Sequence, residues 1–280
     1  MNNKIALMYD FDSTLSAGYM QNYSLIPLLK YDTKDFWVEV NDYGKQNNMD
    51  DVLSYMFKIV EIANKQNVEI TRSVFNKLGS EIKFFQGVES WFERISNFGK
   101  SLNLEVEHYI ISSGMKEIIE GTSIAKHFKQ IFACSYCYDE NDKPYWPCQA
   151  VNYTNKTQYI FRIRKNQLAD LYSSVGVNKL VEEKDKLPYS NMIYFGDGLT
   201  DIPCMKLIKS KGGHSFSVFE KDNQKAKQTA VEIYNDQRVD YIAEADYSEG
   251  SDLDLFVKNI LSNISKEIEK QNKLEKIAKN

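Results

Sequence analysis

Short apolar runs that end in Asp, Ser or Gly alternate with segments of helical period along most of this 280-residue chain, and that alternation restricts the fold more than any other feature. Strands are predicted at Ile5–Tyr9, Val106–Ile111, Met192–Phe195, Ser215–Phe219 and Tyr241–Ala245. Helices are predicted at Val88–Phe98, Met115–Ala125, Lys156–Tyr172, Asp201–Ile208, Asn223–Tyr234 and from Asp252 onward. A polar turn at Asp139–Lys143 separates two aromatic-rich runs, Ser135–Tyr138 and Tyr145–Tyr153. Alternation of this kind implies an α/β class: a mostly parallel sheet with helices on both faces, three layers deep.

One stretch breaks the pattern. Between Ala17 and Phe85 no strand is evident, while Val52, Tyr55, Met56, Ile59, Val60 and Ala63 form a helical stripe that Phe75, Leu78 and Ile82 continue. Small or flexible residues, Ser16-Ala17-Gly18 and Gln86-Gly87, flank it and suit hinges. The expected organisation is a core of residues 1–15 and 86–280 with a helical insert of residues 16–85. The last helix carries Leu253, Val257, Ile260, Leu261, Ile264 and Ile268 on one face and is expected to dock on the core.

Composition excludes several classes. Lys plus Arg number 35 against 39 Asp plus Glu, a net charge of −4 that offers no field for nucleic acid or anionic lipid. No run approaches the roughly 20 apolar residues of a membrane span, and Asp10 interrupts any secretory core, so a cytoplasmic protein is expected. Only five of the 35 cations are Arg, so phosphate binding must rest on Lys, backbone amides or a metal. Cys134, Cys137 and Cys148 cluster in sequence but lack a fourth ligand or a nearby His, and are read as small packed thiols rather than a zinc site. His108, His127 and His214 show no ligand spacing.

Chemistry gathers at the predicted strand ends. Asp10 and Asp12 close the first strand, where ligands of open α/β sheets bind, and two carboxylates so close need a cation or a shared proton. Met192–Phe195 runs into Gly196-Asp197-Gly198-Leu199-Thr200-Asp201, adding two more carboxylates whose oxygen-only donor set suits Mg²⁺. Ser112-Ser113-Gly114 ends another strand ahead of a helix, a seat for an anion or a plain N-cap. Lys156 opens a predicted helix, where the dipole disfavours a cation, which invites a functional reason.

The ordered set Asp10-x-Asp12-x-Thr14, Ser112, Lys156 and Gly196-Asp197-Gly198-x-x-Asp201 resembles the four motifs of the haloacid dehalogenase superfamily of phosphohydrolases. The insert resembles that superfamily's helical C1-type cap, Phe85-Gln86-Gly87-Val88 its return hinge, and the arrangement is most similar to the phosphoserine-phosphatase-like branch. The resemblance implies a Rossmann-like core. It also implies a phosphatase acting on a small phosphorylated metabolite, with Asp10 as nucleophile forming an aspartyl-phosphate and Asp12 as general acid and base. Mg²⁺ would be held by Asp10, the main-chain carbonyl of Asp12 and Asp197, with Asp201 behind them. Ser112, Ser113, Gly114 and Lys156 would hold the phosphate, with Ser113 and Lys165 as alternatives for the serine and lysine roles.

Asp12 favours ester hydrolysis, since carbon–halogen-cleaving relatives lack a carboxylate at that place. Phosphoserine phosphatases place a Glu shortly after the first motif, where this chain has Tyr19-Met20-Gln21, which argues against phosphoserine. Tyr19, Met20 and Tyr23 are the candidate specificity residues, either lining a more aromatic pocket or packing inside the cap. A monomer or homodimer with no nucleic-acid or membrane partner is expected. A phosphotransferase using the same intermediate, or a non-catalytic binding protein, is the alternative.

Overall fold

A computed structural model describes residues 3–279. Seven strands form one sheet: β1 (Lys4–Tyr9), β2 (Glu105–Met115), β3 (Phe128–Tyr138), β4 (Pro144–Gln149), β5 (Met192–Gly196), β6 (His214–Phe219) and β7 (Tyr241–Glu244). Their spatial order is β4-β3-β2-β1-β5-β6-β7, parallel throughout except for the antiparallel β3–β4 pair. The expected α/β class and parallel sheet are therefore present. β1 lies at the centre and is buried almost end to end, which its continuous apolar run requires of a strand covered on both faces.

Helices α1 (Thr33–Asn47), α2 (Asp51–Lys65) and α3 (Arg72–Leu78) lie between β1 and α4 (Val88–Ser101). Asp32, Asp50 and Thr71 cap the first three by accepting backbone N–H groups, which fixes where each begins. The predicted stripe on α2 is real: Val52, Tyr55, Met56, Ile59 and Ala63 are buried. Helix α1 carries its own stripe, Phe36, Val40 and Gly44, at a spacing of four. The two chain segments that join this insert to the sheet pair with each other. Ala17 N–H donates to the Lys83 carbonyl at 2.9 Å, and Phe85 N–H donates to the Leu15 carbonyl at 3.0 Å.

The rest alternates as expected: α5 (Lys116–Glu120), α6 (Lys156–Arg164), α7 (Ile202–Ser210), α8 (Gln224–Asn235) and α9 (Asp252–Lys279). On α4, Val88, Trp91, Phe92 and Ile95 are buried, each large apolar side chain stabilising by about 1.5–3 kcal/mol. Leu253, Val257, Ile260, Leu261 and Ile264 of α9 are buried likewise. Among the described residues, no helix is long and apolar enough to cross a membrane.

Three expected boundaries change. Helix Met115–Ala125 shrinks to Lys116–Glu120, because β2 continues through Met115 and the chain turns at Gly121. Helix Lys156–Tyr172 stops at Arg164: Asn166 adopts a left-handed φ of 51° and Gln167 N–H returns to the Arg162 carbonyl at 2.8 Å. Phe128–Cys134, given no element by the sequence, forms most of β3, and the aromatic-rich runs around Asp139–Lys143 are the two arms of a hairpin.

Candidate active site

From the central strands the chain departs in opposite directions, β1 toward β2 and β5 toward β6, which opens a crevice at their C-terminal ends. Tyr9 pairs with Phe195, and Asp10 N–H donates to the Phe195 carbonyl at 2.9 Å, so Asp10 and Asp197 emerge side by side. A carboxylate oxygen from each of Asp10, Asp197 and Asp201 lies within 4.8 Å of the other two. Gly196 makes the approach of Asp201 possible, since a Cβ there would sit 2.5 Å from Asp201 Cγ. Lys156, first residue of α6, donates from Nζ at 2.8 Å to Asp10 Oδ1 and at 2.8 Å to Asp201 Oδ1, which explains a cation at a helix N-terminus. Tyr194 OH donates to the same Asp201 oxygen at 2.6 Å, while Asp201 Oδ2 is buried without a partner.

Burial dominates the electrostatics. It raises Asp10 to about 6, with Lys156 pulling down and Asp201 pushing up. It raises Asp12 to about 8, reinforced by the charge of Asp10 and opposed by the Met20 N–H that donates to Asp12 Oδ1 at 2.8 Å. Asp197 is pushed well above the carboxylate range by burial, then by Asp201 and Asp10. Burial opposes the charge on Lys156, and Asp10 and Asp201 outweigh it, so its pKa rises. One ammonium thus faces four carboxylates in a poorly solvated crevice. An oxygen-only donor set, an orphaned Asp201 oxygen and carboxyls pushed toward protonation fit a hard divalent cation such as Mg²⁺. A cavity of 470 Å³ opens on this cluster.

No family model matches the chain. An uncharacterized protein of Borreliella burgdorferi is 29% identical over 280 residues, covering 90% of this chain and 94% of that one. Among solved structures, a probable phosphoserine phosphatase from Vibrio cholerae superimposes with a TM-score of 0.55 at 10% identity, over 95% of this chain and 68% of that one. A phosphoserine phosphatase with a phospho-aspartyl intermediate analogue gives 0.53 at 14% identity, over 91% and 98%. A HAD family hydrolase from Salmonella enterica serovar Typhi gives 0.54 at 15% identity over 81% of this chain. The match spans 65% of that hydrolase, just under two thirds of its length. The fold is that of the haloacid dehalogenase hydrolases.

Within this haloacid dehalogenase fold, Asp10, Asp12, Ser112, Ser113, Lys156, Asp197 and Tyr19 all line the cavity. Asp201 is fully buried behind Lys156. Pairing along β2 jumps from Ile111↔Phe132 to Met115↔Cys134, a bulge that frees Ser112 and Ser113 from the ladder. Lys165 lies elsewhere, donating to the Val177 carbonyl at 2.5 Å. Both Ser112 and Ser113 reach the cavity.

Gly114, Met20 and Tyr23 are not on the cavity wall. The Gly114 N–H donates to Ser112 Oγ at 2.9 Å and the Met115 N–H to Met20 Sδ at 3.1 Å. Met20 is a buried plug between the insert and β2, and Tyr23 OH donates to the Ala17 carbonyl at 2.5 Å. Packing claims both side chains. Cys134 is buried as expected, but Cys137 is half-buried and Cys148 exposed on the hairpin. His108 is buried between Tyr9 and Ser96, its pKa lowered to about 3 by burial.

Sequence reasoning missed most of the wall opposite the carboxylates, which Gln21, Trp37, Asn41, Asp51, Tyr55 and Tyr153 supply. Gln21 opens a single π-helical turn, Gln21–Leu25. Trp37 and Asn41, four apart on α1 behind the Asp32 cap, share a face, but the sequence does not say what that face meets. Tyr153 gave no local signal, since it sits in a loop between β4 and α6.

Proposed function

We propose that this chain is a divalent-metal-dependent phosphohydrolase of the haloacid dehalogenase superfamily, phosphoserine-phosphatase-like, that cleaves a small phosphomonoester through an aspartyl-phosphate on Asp10. The observation that carries the reading is the contrast between two carboxyls two residues apart. Asp10 has one oxygen tied to Lys156, which leaves Oδ2 for attack, whereas Asp12, raised to about 8, holds a proton at neutral pH. A nucleophile and an acid with separated pKa values are what the reaction needs.

In the first step Asp10 Oδ2 bonds to phosphorus, the bond from phosphorus to the ester oxygen breaks, and Asp12 gives its proton to the departing alkoxide. In the second, Asp12 takes a proton from water as that oxygen bonds to phosphorus and the bond to Asp10 breaks, releasing phosphate. Lys156 holds Asp10 in place and compensates charge on the transferring group. Ser112, whose oxygen already accepts from Gly114, keeps its hydroxyl proton for a phosphate oxygen, and Ser113 stands beside it. Asp10, Asp197 and the Asp12 carbonyl would hold Mg²⁺, oriented from behind by Asp201; when bound it offsets the repulsion between carboxylate and phosphate. Residues 16–85 act as a cap whose insert-borne wall closes the cavity over the substrate and excludes water.

The test is turnover of p-nitrophenyl phosphate with and without Mg²⁺, repeated with Asp10→Asn. Loss of activity on chelation and in the variant is expected; metal-independent turnover or an unharmed variant rejects the mechanism.

A further inference from the structure

The wall that faces the carboxylates has a chemistry of its own. Tyr19, Trp37 and Tyr55 form an aromatic corner, with ring centroids 5.8 Å apart at 52° for Tyr19 and Trp37, and 6.3 Å apart at 64° for Trp37 and Tyr55. The polar tips of two of these rings are committed away from a ligand. Trp37 Nε1 donates to Asn22 Oδ1 at 2.9 Å and Tyr55 OH to the Ser113 carbonyl at 2.7 Å, so what they offer to the cavity is ring. Burial and then the charges of Asp197, Asp12 and Asp10 raise the Tyr19 hydroxyl, which puts that ring at the seam between the corner and the carboxylates. Asp51, at the start of α2, adds a further carboxylate to the lining.

The charge on the lining is lopsided. Asp10, Asp12, Asp51 and Asp197 are its acids and Lys156 is its one cation, already bonded to Asp10 and Asp201. A divalent cation and the phosphate would balance the inner end; at the outer end Asp51 accepts, among the described residues, only the Val52 N–H at 2.9 Å, and the lining there holds no cation to pair with a substrate carboxylate. Inclined ring faces beside a carboxylate that no cation pairs are the surroundings that a quaternary or protonated amine selects, because the ring quadrupole and the charge both attract it.

Resting on the phosphohydrolase reading, we propose that the substrate is the phosphomonoester of an amino alcohol: its ammonium sits in the Tyr19, Trp37 and Tyr55 corner near Asp51, and it carries no carboxylate. The cavity, at 470 Å³, is of a size that holds such a molecule whole.

Four esters separate the possibilities with the full-length protein and Mg²⁺: phosphocholine, its uncharged isostere 3,3-dimethylbutyl phosphate, O-phosphoserine and p-nitrophenyl phosphate. The expected result is a kcat/KM for phosphocholine about two- to fivefold above the isostere, the worth of one cation–π contact at a partly exposed site, with O-phosphoserine the poorest. Asp51→Asn and Trp37→Leu should each lower the ratio of phosphocholine to isostere toward parity. A general loss of fold would depress both esters together and leave that ratio alone. An isostere turned over as well as phosphocholine, a ratio unmoved by both variants, or O-phosphoserine as the best ester overturns the proposal while p-nitrophenyl phosphate turnover keeps the phosphohydrolase reading. No turnover of any ester overturns both.

Discussion

Lys156 Nζ lies 2.8 Å from Asp10 Oδ1, and both side chains are withdrawn from solvent. The same ammonium reaches Asp201 at 2.8 Å, so one cation joins the first strand end to the loop after the fifth. Removing one partner of a buried pair strands the other charge, at a cost of about 3–5 kcal/mol. Lys156→Met should therefore lose about that much stability in urea titration, together with nearly all turnover. A divalent cation should restore part of the stability, because it supplies positive charge to the same carboxylates.

The raised carboxyls set a pH dependence. Asp10 at about 6 and Asp12 at about 8 lie above the ordinary Asp value of 3.8, as does Asp197. The folded protein thus binds these protons more tightly than the unfolded chain, and their stabilisation is full below pH 4 and lost as pH rises through 6 and then 8. Melting temperature without metal should fall between pH 5 and 8.5. Mg²⁺ should raise it, by a margin that grows with pH, and a Mg²⁺ increment that shrinks over that range contradicts the assignment.

Asp12 should matter in proportion to how badly the leaving group needs a proton. Asp12→Asn is expected to reduce kcat by about 10²–10⁴ on an alkyl phosphate. The loss on p-nitrophenyl phosphate should be markedly smaller, because nitrophenolate departs unaided. Equal losses on the two esters would count against Asp12 as the acid.

Gly121 joins the insert to the core more closely than any side chain would permit. A Cβ at Gly121 would sit 1.7 Å from the Asn76 carbonyl oxygen of α3, and the Asn76 side chain donates to the Glu117 carbonyl at 3.3 Å. Gly121→Ala must push α3 off α5, at about 1–3 kcal/mol, visible as a lower melting temperature. Because α3 belongs to the insert, the same variant should raise KM for any ester.

The candidate site was legible because its residues follow the strands that place them. Asp10 and Asp12 sit where β1 ends, and Asp197 where β5 ends; a strand terminus is a local feature that period and glycine punctuation reveal. Lys156 was visible as a cation on the wrong end of a helix. Trp37, Asp51 and Tyr55 were harder: nothing local says which face of α1 or α2 turns toward a strand end more than a hundred residues away. For Met20 and Tyr23 the sequence left lining or packing open, and the structure places both in packing, Met20 against the Met115 N–H and Tyr23 OH on the Ala17 carbonyl.

By itself the sequence determined the α/β class, the interrupted order of elements and the acidic strand ends, because each is written in periods of two and 3.6 and in short runs. Only the tertiary structure decided which side chains meet. Parallel pairing of β1 with β5 brings Asp10 beside Asp197, a bulge in β2 frees Ser112 and Ser113, and the docking of α1 and α2 sets an aromatic, acidic wall opposite them. Those contacts join residues far apart in the chain, and long-range packing, not local propensity, chooses them.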